Sequence, residues 1–353
     1  GESTAHDPHR RVTCEACHHE SKEVMRDPKT GRIVLKLVKD GVPLKMTSHR
    51  LADFKDQKAC EKCHFAENRL GAPIRVLPAK SLICIGCHSA TLGAKDPISI
   101  VALILFGVGI VLTISFWFQG TVGDPSFSTQ DKISYLGEKA WQIFFSRKFL
   151  TLLKVFVVDV LLLRRILKES LSRWTIHSLI YLPFFLRFLI GLILLILSKL
   201  FPMSSQVAVL LDKNFPPVAF LYDFLGLCII IGINGAIMRR LQKKSEKTLP
   251  AGQDAIALGL IGGILLTGFI IEGMRILLTA IPPSVALPSF LGYPLSLLLD
   301  LFPIRWEVVY PYGWYVHAIL TGMFVAYLPF SKLFHILVSP LVLIAKASTE
   351  EKS

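Results

Sequence analysis

Residues 84–119 read CIGCHSATLGAKDPISIVALILFGVGIVLTISFWFQ, and they hold the two features that decide the fold. The stretch opens with a Cys-x-x-Cys-His motif and continues into an apolar run over 98–119. About 20 apolar residues are enough for a helix to span roughly 30 Å of hydrocarbon. The chain therefore passes within a few residues from a polar, cysteine-bearing segment into a membrane segment.

Composition divides the chain into the same two parts. The 353 residues are 52% hydrophobic and 18% charged, with a mean hydropathy of +0.53. Residues 1–97 are polar and basic, whereas residues 98–340 contain long apolar runs. This pattern excludes a purely soluble, a disordered or a collagen-like protein. The net charge is +13, but the basic residues cluster beside apolar runs, so a lipid membrane is the expected partner and nucleic acid is not.

The polar segment contains three Cys-x-x-Cys-His motifs, at 14–18, 60–64 and 84–88. This spacing is typical of c-type haem attachment, in which two thiols form thioethers and the adjacent histidine binds the iron. A zinc site would not require a histidine after every cysteine pair. The sequence therefore predicts three covalent c haems, with thioethers from Cys14, Cys17, Cys60, Cys63, Cys84 and Cys87 and proximal ligands from His18, His64 and His88. Cys228 stands alone in an apolar run and is expected to be a small buried side chain.

Each iron also needs a sixth ligand. The segment offers four further histidines and one weaker candidate, Met46, for this position. Four histidines for three irons favour bis-histidine ligation, which suits electron transfer without substrate binding. Which histidine serves which iron stays open among His6, His9, His19 and His49.

The apolar half predicts an all-α bundle of five to six membrane spans. A further proline-punctuated stretch over 282–303 is expected to be interfacial or re-entrant. The polar segment ahead of the bundle is expected to be an irregular multihaem module. The six apolar runs lie near 98–119, 143–165, 174–197, 217–238, 255–277 and 312–332.

The charges near these runs predict the orientation, and they raise a conflict. Basic clusters follow the second run (164–173) and the fourth run (239–247), so both loops and the C-terminus are expected in the cytoplasm. Haem c attachment belongs on the opposite side of the membrane. Six full crossings would put both chain ends on one side. We therefore expect one run, 98–119, not to cross simply, or an additional crossing within 120–142.

Three histidines lie in the apolar half: His177, His317 and His335. Four consecutive spans separate the first from the last, so His177 and His335 are expected at similar depth. His317 lies 18 residues before His335, about 27 Å along a helix, and belongs near the other face. The sequence thus predicts one b haem held by His177 and His335. A second b haem at His317 stays an open alternative.

Three stretches carry a family resemblance: 173–181 (RWTIHSLIY), 267–275 (TGFIIEGMR) and 317–335, which ends in LPFSKLFH. They resemble the membrane cytochrome b subunit (gamma subunit) of respiratory nitrate reductase. They are more similar still to the related subunits of heterodisulfide-reductase-like and dissimilatory-sulfite-reduction-associated complexes. Here the bundle follows a fused triheme cytochrome c segment.

The resemblance implies five spans, two b haems held by four histidines, and reaction with a menaquinone-type quinone. The position that the resemblance implies for the fourth ligand, ten residues after His177, is Arg187. The resemblance also implies an iron–sulfur subunit on the cytoplasmic face, and the fused segment suggests a multihaem c-type cytochrome as partner. The expected domains are a triheme cytochrome c domain (1–97), an extra span and connector (98–142), a cytochrome b-like bundle (143–340) and a polar tail (341–353).

Glu272 and Arg275 are one helical turn apart and can pair on one face. They are a candidate quinone site, in which the carboxylate accepts a proton from quinol, and a structural ion pair that holds two helices stays an open alternative. The expected function is electron transfer between the quinone pool, haem b and the three c haems, in the cytoplasmic (inner) membrane with the haem c domain on the periplasmic face. Two alternatives stay open: a membrane anchor and haem wire with quinone chemistry elsewhere, and a small-molecule reductase at a five-coordinate c haem.

Overall fold

A computed structural model gives the structure of this protein, and it describes most of the membrane half but only parts of the polar segment. The described residues are 12–13, 16, 24–27, 33–35, 38–39, 42–43, 61–65, 68, 70, 72–78, 80–94, 96–120, 124, 126–144, 153–201, 204–243, 252–336, 338–340 and 343. Several predicted haem c residues lie outside them, so their predictions stay predictions. These are Cys14, Cys17, His18, Cys60, His6, His9, His19, His49 and Met46.

The described part of the polar segment contains two short antiparallel β-ladders. Val24 pairs with Leu35 across the first ladder, and Val38 pairs with Pro43 across the second. Ile33 packs in a small apolar cluster with Ala16 and Leu70. The strands are β1 (Val24–Arg26), β2 (Ile33–Leu35), β3 (Val38–Lys39) and β4 (Val42–Pro43). The fold is therefore mostly helical, with a minor β component that the all-α prediction did not include.

Ten α-helices follow in the described residues, together with short 3₁₀ and π turns. The 3₁₀ turns are Leu82–Gly86, Leu328–Phe330 and Lys332–Phe334, and the π turn is Phe156–Leu161. The helices are α1 (Pro97–Phe118), α2 (Thr129–Phe144), α3 (Arg164–Glu169), α4 (Leu171–Leu200), α5 (Ser205–Leu210), α6 (Pro216–Lys243), α7 (Gly252–Leu278), α8 (Pro283–Ala286), α9 (Gly292–Asp300) and α10 (Trp306–Tyr327).

Five of these helices are long and apolar enough to cross a membrane: α1, α4, α6, α7 and α10. Much of α1 is exposed apolar surface, with Val111 63% and Phe116 71% exposed. Such a face suits contact with lipid. These findings indicate a multi-pass membrane protein, and the described residues contain five candidate spans.

The prediction that 98–119 does not cross simply stays a prediction, because helix length and composition alone do not show a crossing. The run at 98–119 forms α1, whereas the run at 143–165 forms none of the five long helices found among the described residues. The described part of that run contains the π turn Phe156–Leu161, and Leu163 then takes a left-handed backbone conformation, with φ of 55°. A non-glycine residue in that conformation breaks helical continuity, and α3 begins afresh at Arg164.

Local chemistry explains where the helices begin. The side chain of Asp96 accepts a hydrogen bond from the amide of Ser99 (2.8 Å), and Pro97 is the first residue of α1. An aspartate cap followed by proline is a favoured helix start, because it satisfies a free N–H and removes another. Pro216 is likewise the first residue of α6. Ser204 caps α5 through its hydroxyl.

The described residues belong to two compact units. Unit 1 comprises 1–99, 186–227 and 263–321, and unit 2 comprises 100–185, 228–262 and 322–353. Within unit 2, α4 and α6 approach closely at Gly232, where a Cβ would lie 2.7 Å from Ile180 Cγ1 and 3.2 Å from the Ile180 nitrogen. A glycine is required there by the close approach of the two backbones.

Candidate functional site

The third haem-attachment motif forms a compact loop in unit 1. Leu82–Gly86 is a 3₁₀ turn, and the amides of Cys87 and His88 both donate to the carbonyl of Cys84, at 3.1 and 3.2 Å. The turn therefore places Cys84, Cys87 and His88 close together. This arrangement is the one that thioether attachment and proximal ligation require.

Hydrogen bonds hold this loop at the start of α1. The hydroxyls of Ser81 and Ser99 are 2.5 Å apart, and both residues are almost completely buried. The amide of Leu82 donates to Gly93 (3.0 Å), and the amide of Thr91 donates to Lys80 (2.9 Å). The loop is thus fixed to the beginning of a membrane helix.

The loop also touches α4, at Gly191. A Cβ at this position would lie 2.9 Å from the carbonyl oxygen of Ile85 and 3.2 Å from that of His88. These are backbone atoms, so a larger residue would push the loop away. Gly191 therefore sets how closely the loop packs against the helix.

A cavity of about 210 Å³ in unit 1 brings most of the described candidate residues together. The polar segment contributes the second motif through His64 and the third motif through both cysteines and its histidine. The helical residues lining the cavity include the predicted quinone pair. The side chains that matter below are His64, Cys84, Cys87, His88, Arg187, Lys213, Glu272, Arg275 and His317.

The histidines in this cavity are all oriented through Nδ1. That nitrogen of His64 lies 2.7 Å from the carbonyl oxygen of Pro73, and that of His88 lies 3.2 Å from Ser89 O. A carbonyl oxygen only accepts hydrogen bonds, so in each ring Nδ1 carries the proton and Nε2 keeps its lone pair. A hydrogen bond of this kind fixes the tautomer of a metal-binding histidine.

His317 has the same orientation through a side-chain partner. Its Nδ1 lies 2.9 Å from the hydroxyl oxygen of Thr267, and that hydroxyl donates to Gly263 O at 2.7 Å. With its single proton donated to Gly263 O, the hydroxyl oxygen accepts from His317 Nδ1. Nε2 of His317 is therefore also the nitrogen with a lone pair.

Burial sets the protonation of the third motif. Burial, assisted by Lys213, Lys80 and His317, holds the pKa of His88 well below its usual value, so the ring is neutral and able to bind a metal. Burial likewise raises the pKa of the thiols of Cys84 and Cys87. These thiols stay protonated at neutral pH and are poor free nucleophiles.

Two buried arginines line the cavity with incompletely used donors. Both are 8% exposed. Arg187 donates from Nη2 to the carbonyl of Tyr222 and lies over the Tyr222 ring at 5.4 Å, while its Nε has no hydrogen-bond partner. Arg275 donates from Nη1 to Asn214 Oδ1 (2.8 Å) but makes no hydrogen bond from Nε or Nη2. Unpaired buried guanidinium donors suit an anionic ligand such as a carboxylate.

Unit 2 brings together the other predicted pair. The ring centres of His177 and His335 are 6.2 Å apart, with an angle of 39° between the planes. A metal ion about 2 Å from each of two imidazole nitrogens would separate the ring centres by about 6 Å. Nδ1 of His335 lies 2.6 Å from Lys332 O, so its Nε2 keeps the lone pair. The separation and the tautomer of His335 both fit axial ligation of one iron.

Glu272 and Arg275 are close, as predicted. Arg275 Nη2 lies 3.7 Å from Glu272 Oε1, and both side chains are mostly buried. Near them, the fully buried Asp223 accepts hydrogen bonds through Oδ2 from the amides of Leu291 (2.7 Å) and Gly292 (3.2 Å). A Cβ on Gly292 would lie 2.8 Å from Glu272 Cγ, so the two carboxyl groups flank this turn.

The structure adds functional residues that the sequence did not identify. These residues are Thr267, which contacts His317 Nδ1, Gly191, which lies against the 84–88 loop, and Lys213, which lines the cavity. No local pattern marks them, because their partners are distant in sequence. In the part of the chain that the structure describes, no group of three or more His, Cys, Asp or Glu side chains is placed to hold a metal ion. Haem supplies four nitrogens of its own, so it requires only one or two axial side chains.

Comparison with known proteins identifies distant relatives. The chain is 25% identical over 273 residues to a subunit of the dihydromethanophenazine:CoB–CoM heterodisulfide reductase of Methanosarcina thermophila, with 72% of this chain and 91% of the relative covered. The protein of the same name in Methanosarcina barkeri is 26% identical over 271 residues, with 71% and 90% covered. These matches support the expected resemblance to heterodisulfide-reductase-like subunits.

A further relative is an EtfAB:quinone oxidoreductase of Syntrophomonas wolfei. It is 27% identical over 195 residues, which cover 50% of this chain and 25% of the relative. No protein-family model and no solved structure matches the chain. Together with the five apolar helices, the relatives support a membrane electron-transfer subunit of a redox complex. The resemblance to nitrate reductase and the fused triheme segment stay predictions.

Proposed function

We propose that the chain transfers electrons between a membrane quinone, of menaquinone type, a b haem in unit 2 and three c haems of the polar segment. The observation that carries the proposal is the 6.2 Å separation of the His177 and His335 ring centres. An iron between the two rings would require this spacing, whereas a structural contact would not. Haem bound at these histidines would supply one-electron transfer.

His177 and His335 act as fixed axial ligands in this proposal. The hydrogen bond from His335 Nδ1 to Lys332 O leaves Nε2 as the nitrogen that would bind the iron. The 3₁₀ turns Leu328–Phe330 and Lys332–Phe334 place His335 beyond the end of α10. His177 lies near the start of α4. The two ligands therefore come from different elements, as in other cofactor sites of helical bundles.

The cavity in unit 1 supports a quinone site beside the third haem-attachment motif. Its lining joins apolar and aromatic side chains to Glu272, the candidate proton acceptor. Oxidation of a quinol releases two electrons and two protons, and a positioned carboxylate accelerates such proton loss. Arg275 Nη2 lies 3.7 Å from Glu272 Oε1 and is a cationic neighbour of the carboxylate at this site.

Five spans support the orientation expected from haem c attachment. If the polar segment lies outside, the basic region 164–173 lies inside after one crossing, and the basic region 239–243 lies inside after three. The C-terminus lies inside after five. Haem chemistry and the positive-inside rule then agree, whereas six spans made them conflict. We propose the cytoplasmic membrane, with the three motifs on the outer face.

This orientation suggests partners on both faces. The c haems would exchange electrons with another multihaem c-type cytochrome outside. The basic cytoplasmic side, at Arg164, Arg239 and Arg240, would dock an iron–sulfur subunit. The relatives from Methanosarcina are likewise named as one subunit of a larger enzyme, which supports a complex of this kind.

The haem content tests the proposal directly. A pyridine haemochrome spectrum of the purified protein should give a ratio of haem c to haem b of about 3:1. His177→Leu should remove haem b and leave haem c unchanged. Asn234→Leu, which changes a polar side chain on α6 that hydrogen-bonds its own helix at Ile230 O, is the matched control and should keep both haems. Absence of haem b from the unmodified protein would refute the proposal.

One observation favours a second function, an anchor and haem wire with quinone chemistry elsewhere in the complex. Glu272 already has a cationic partner in Arg275, as a purely structural ion pair would. Glu272→Gln separates the two functions. Loss of quinol-dependent reduction with full haem content supports quinone chemistry here, and unchanged reduction supports the anchor.

A further inference from the structure

His317 has no histidine partner in the membrane half. Residues 98–353 contain three histidines, and His177 and His335 face each other. Ten residues after His177 stands Arg187, which binds no iron. Yet His317 has a fixed tautomer with a free Nε2, and such an arrangement is typical of a metal ligand.

The structure places a haem-attachment motif beside His317. Cys84, Cys87, His88 and His317 line the same cavity in unit 1. Two imidazoles with free Nε2 atoms thus meet at one cavity, next to the thiols that would attach a haem.

We propose that His317 is the sixth ligand of the iron of the haem attached at Cys84 and Cys87, with His88 as the fifth. The proposal rests on the haem c attachment in the proposed function, and it assigns a ligand from the membrane bundle to an extramembrane motif. His317 then binds no second b haem. The N-terminal histidines have to supply the sixth ligand for the first two c haems only.

The surroundings of His317 are built for a fixed ligand. Gly268 leaves room for the ring, since a Cβ there would lie 3.4 Å from His317 Cε1. Thr267, one residue earlier on α7, fixes Nδ1. Gly191 lets the Cys84–His88 loop lie directly against α4, with Ile85 O only 2.9 Å from the site of a Cβ. The motif and the membrane histidine are thereby held on the same cavity.

Arg187 supplies a binding group for the rest of the haem. Its side chain is over nine-tenths buried, lines the cavity and has an unpaired Nε. A haem carries two propionate carboxylates, and a guanidinium is well suited to pair with them. The residue that replaces a predicted histidine ligand thus becomes a partner for the same cofactor.

The test is the spin state and the haem count of His317→Leu in the complete membrane protein. We expect unchanged haem c and haem b, with about one in three c haems converted from low-spin to high-spin and able to bind carbon monoxide, because its iron has lost one of two axial ligands. His317→Met should restore a low-spin haem c with a raised midpoint potential, since thioether ligation raises it. This second variant keeps the test valid if leucine disturbs folding.

Other outcomes overturn the proposal in distinguishable ways. A second haem b in the unmodified protein that disappears in His317→Leu would assign His317 to a b haem. Three low-spin c haems in His317→Leu would assign the sixth ligand to another histidine. A protein without any covalent haem would instead refute the proposed function. The control is Thr321→Val on α10, whose hydroxyl bonds the carbonyl of His317 rather than its ring, and it should leave every haem low-spin.

Discussion

Gly191→Ala tests the contact between the haem-attachment loop and α4. The added Cβ would lie 2.9 Å from Ile85 O and 3.2 Å from His88 O. Alanine in a helix is favoured over glycine by about 0.5–1 kcal/mol, whereas forcing an extra carbon into a packed contact costs about 1–3 kcal/mol. The net result is a loss of about 1–2 kcal/mol, borne by the loop, because the atoms that must move belong to its backbone.

Hydrogen exchange followed by mass spectrometry measures this loss locally. The amides of Cys87 and His88 bond to Cys84 O, so their exchange reports opening of the turn. A loss of this size corresponds to roughly 5–30-fold faster exchange in the peptide that contains them.

Gly107→Ala on α1 is the matched control, because nothing lies within 4 Å of its added Cβ. It should leave exchange at residues 84–94 unchanged. Equal exchange in Gly191→Ala, Gly107→Ala and the unmodified protein would refute the packing of the loop on α4.

Three further predictions concern single hydrogen bonds and ligands. Asp223→Ala should destabilise the segment around α9 by about 1–3 kcal/mol for each of the two amides that lose their acceptor. Limited proteolysis within 283–292 should then be faster, whereas the control Asp300→Ala should leave its rate unchanged. Thr267→Val should lower the affinity of His317 for the iron by about 10- to 100-fold, which would appear as a partly high-spin haem c. Thr267→Ser should behave as the unmodified protein, and a fully low-spin valine variant would contradict this prediction. His335→Leu should abolish haem b as completely as His177→Leu does, since each provides one of two axial nitrogens; retention of haem b in either variant would separate the pair.

The proximity of His177 and His335 was accessible from the sequence because it depends only on span parity. An even number of crossings returns the chain to the same face, whatever the details of packing. Four predicted spans separate His177 from His335, and the structure has four candidate spans over this stretch, α4, α6, α7 and α10. Apolar length is a strong signal for a membrane helix, so the number of crossings between the two histidines could be counted without any knowledge of their partners.

The described part of the run at 143–165 departs from one continuous α-helix for a local physical reason. Hydropathy measures composition, and this run is apolar enough on average, but its backbone changes direction at Leu163 (φ 55°). Asp159 then pairs with Arg164 at 3.5 Å and lies 4.0 Å from Arg165. Asp159 is mostly buried beside these two arginines, and this pairing is visible in the sequence only once the turn is known.

The environment of His317 could not be predicted, because its partners come from three separate parts of the chain. Thr267 lies 50 residues before His317, Arg187 lies on α4, and His88 lies in the polar segment. Sequence periodicity places a residue on a helix face but does not say which loop covers that face. The sequence predicts sixth ligands only among histidines near the motifs along the chain. His317 is far from the motifs in sequence, so it was not predicted as a ligand of a c haem.

Two departures from the expected family pattern have one explanation under the proposed ligation. A bundle that has Arg187 where a fourth histidine is expected would be left with one unmatched ligand, His317, at a costly membrane position. A fused segment that ends in Cys84–His88, only nine residues before α1 begins, supplies both a haem and the missing axial nitrogen. Under the proposed ligation, His317 would be an axial ligand of this haem, and Arg187 would pair with its propionate carboxylates. Arg187 and the motif at 84–88 would therefore hold the same haem.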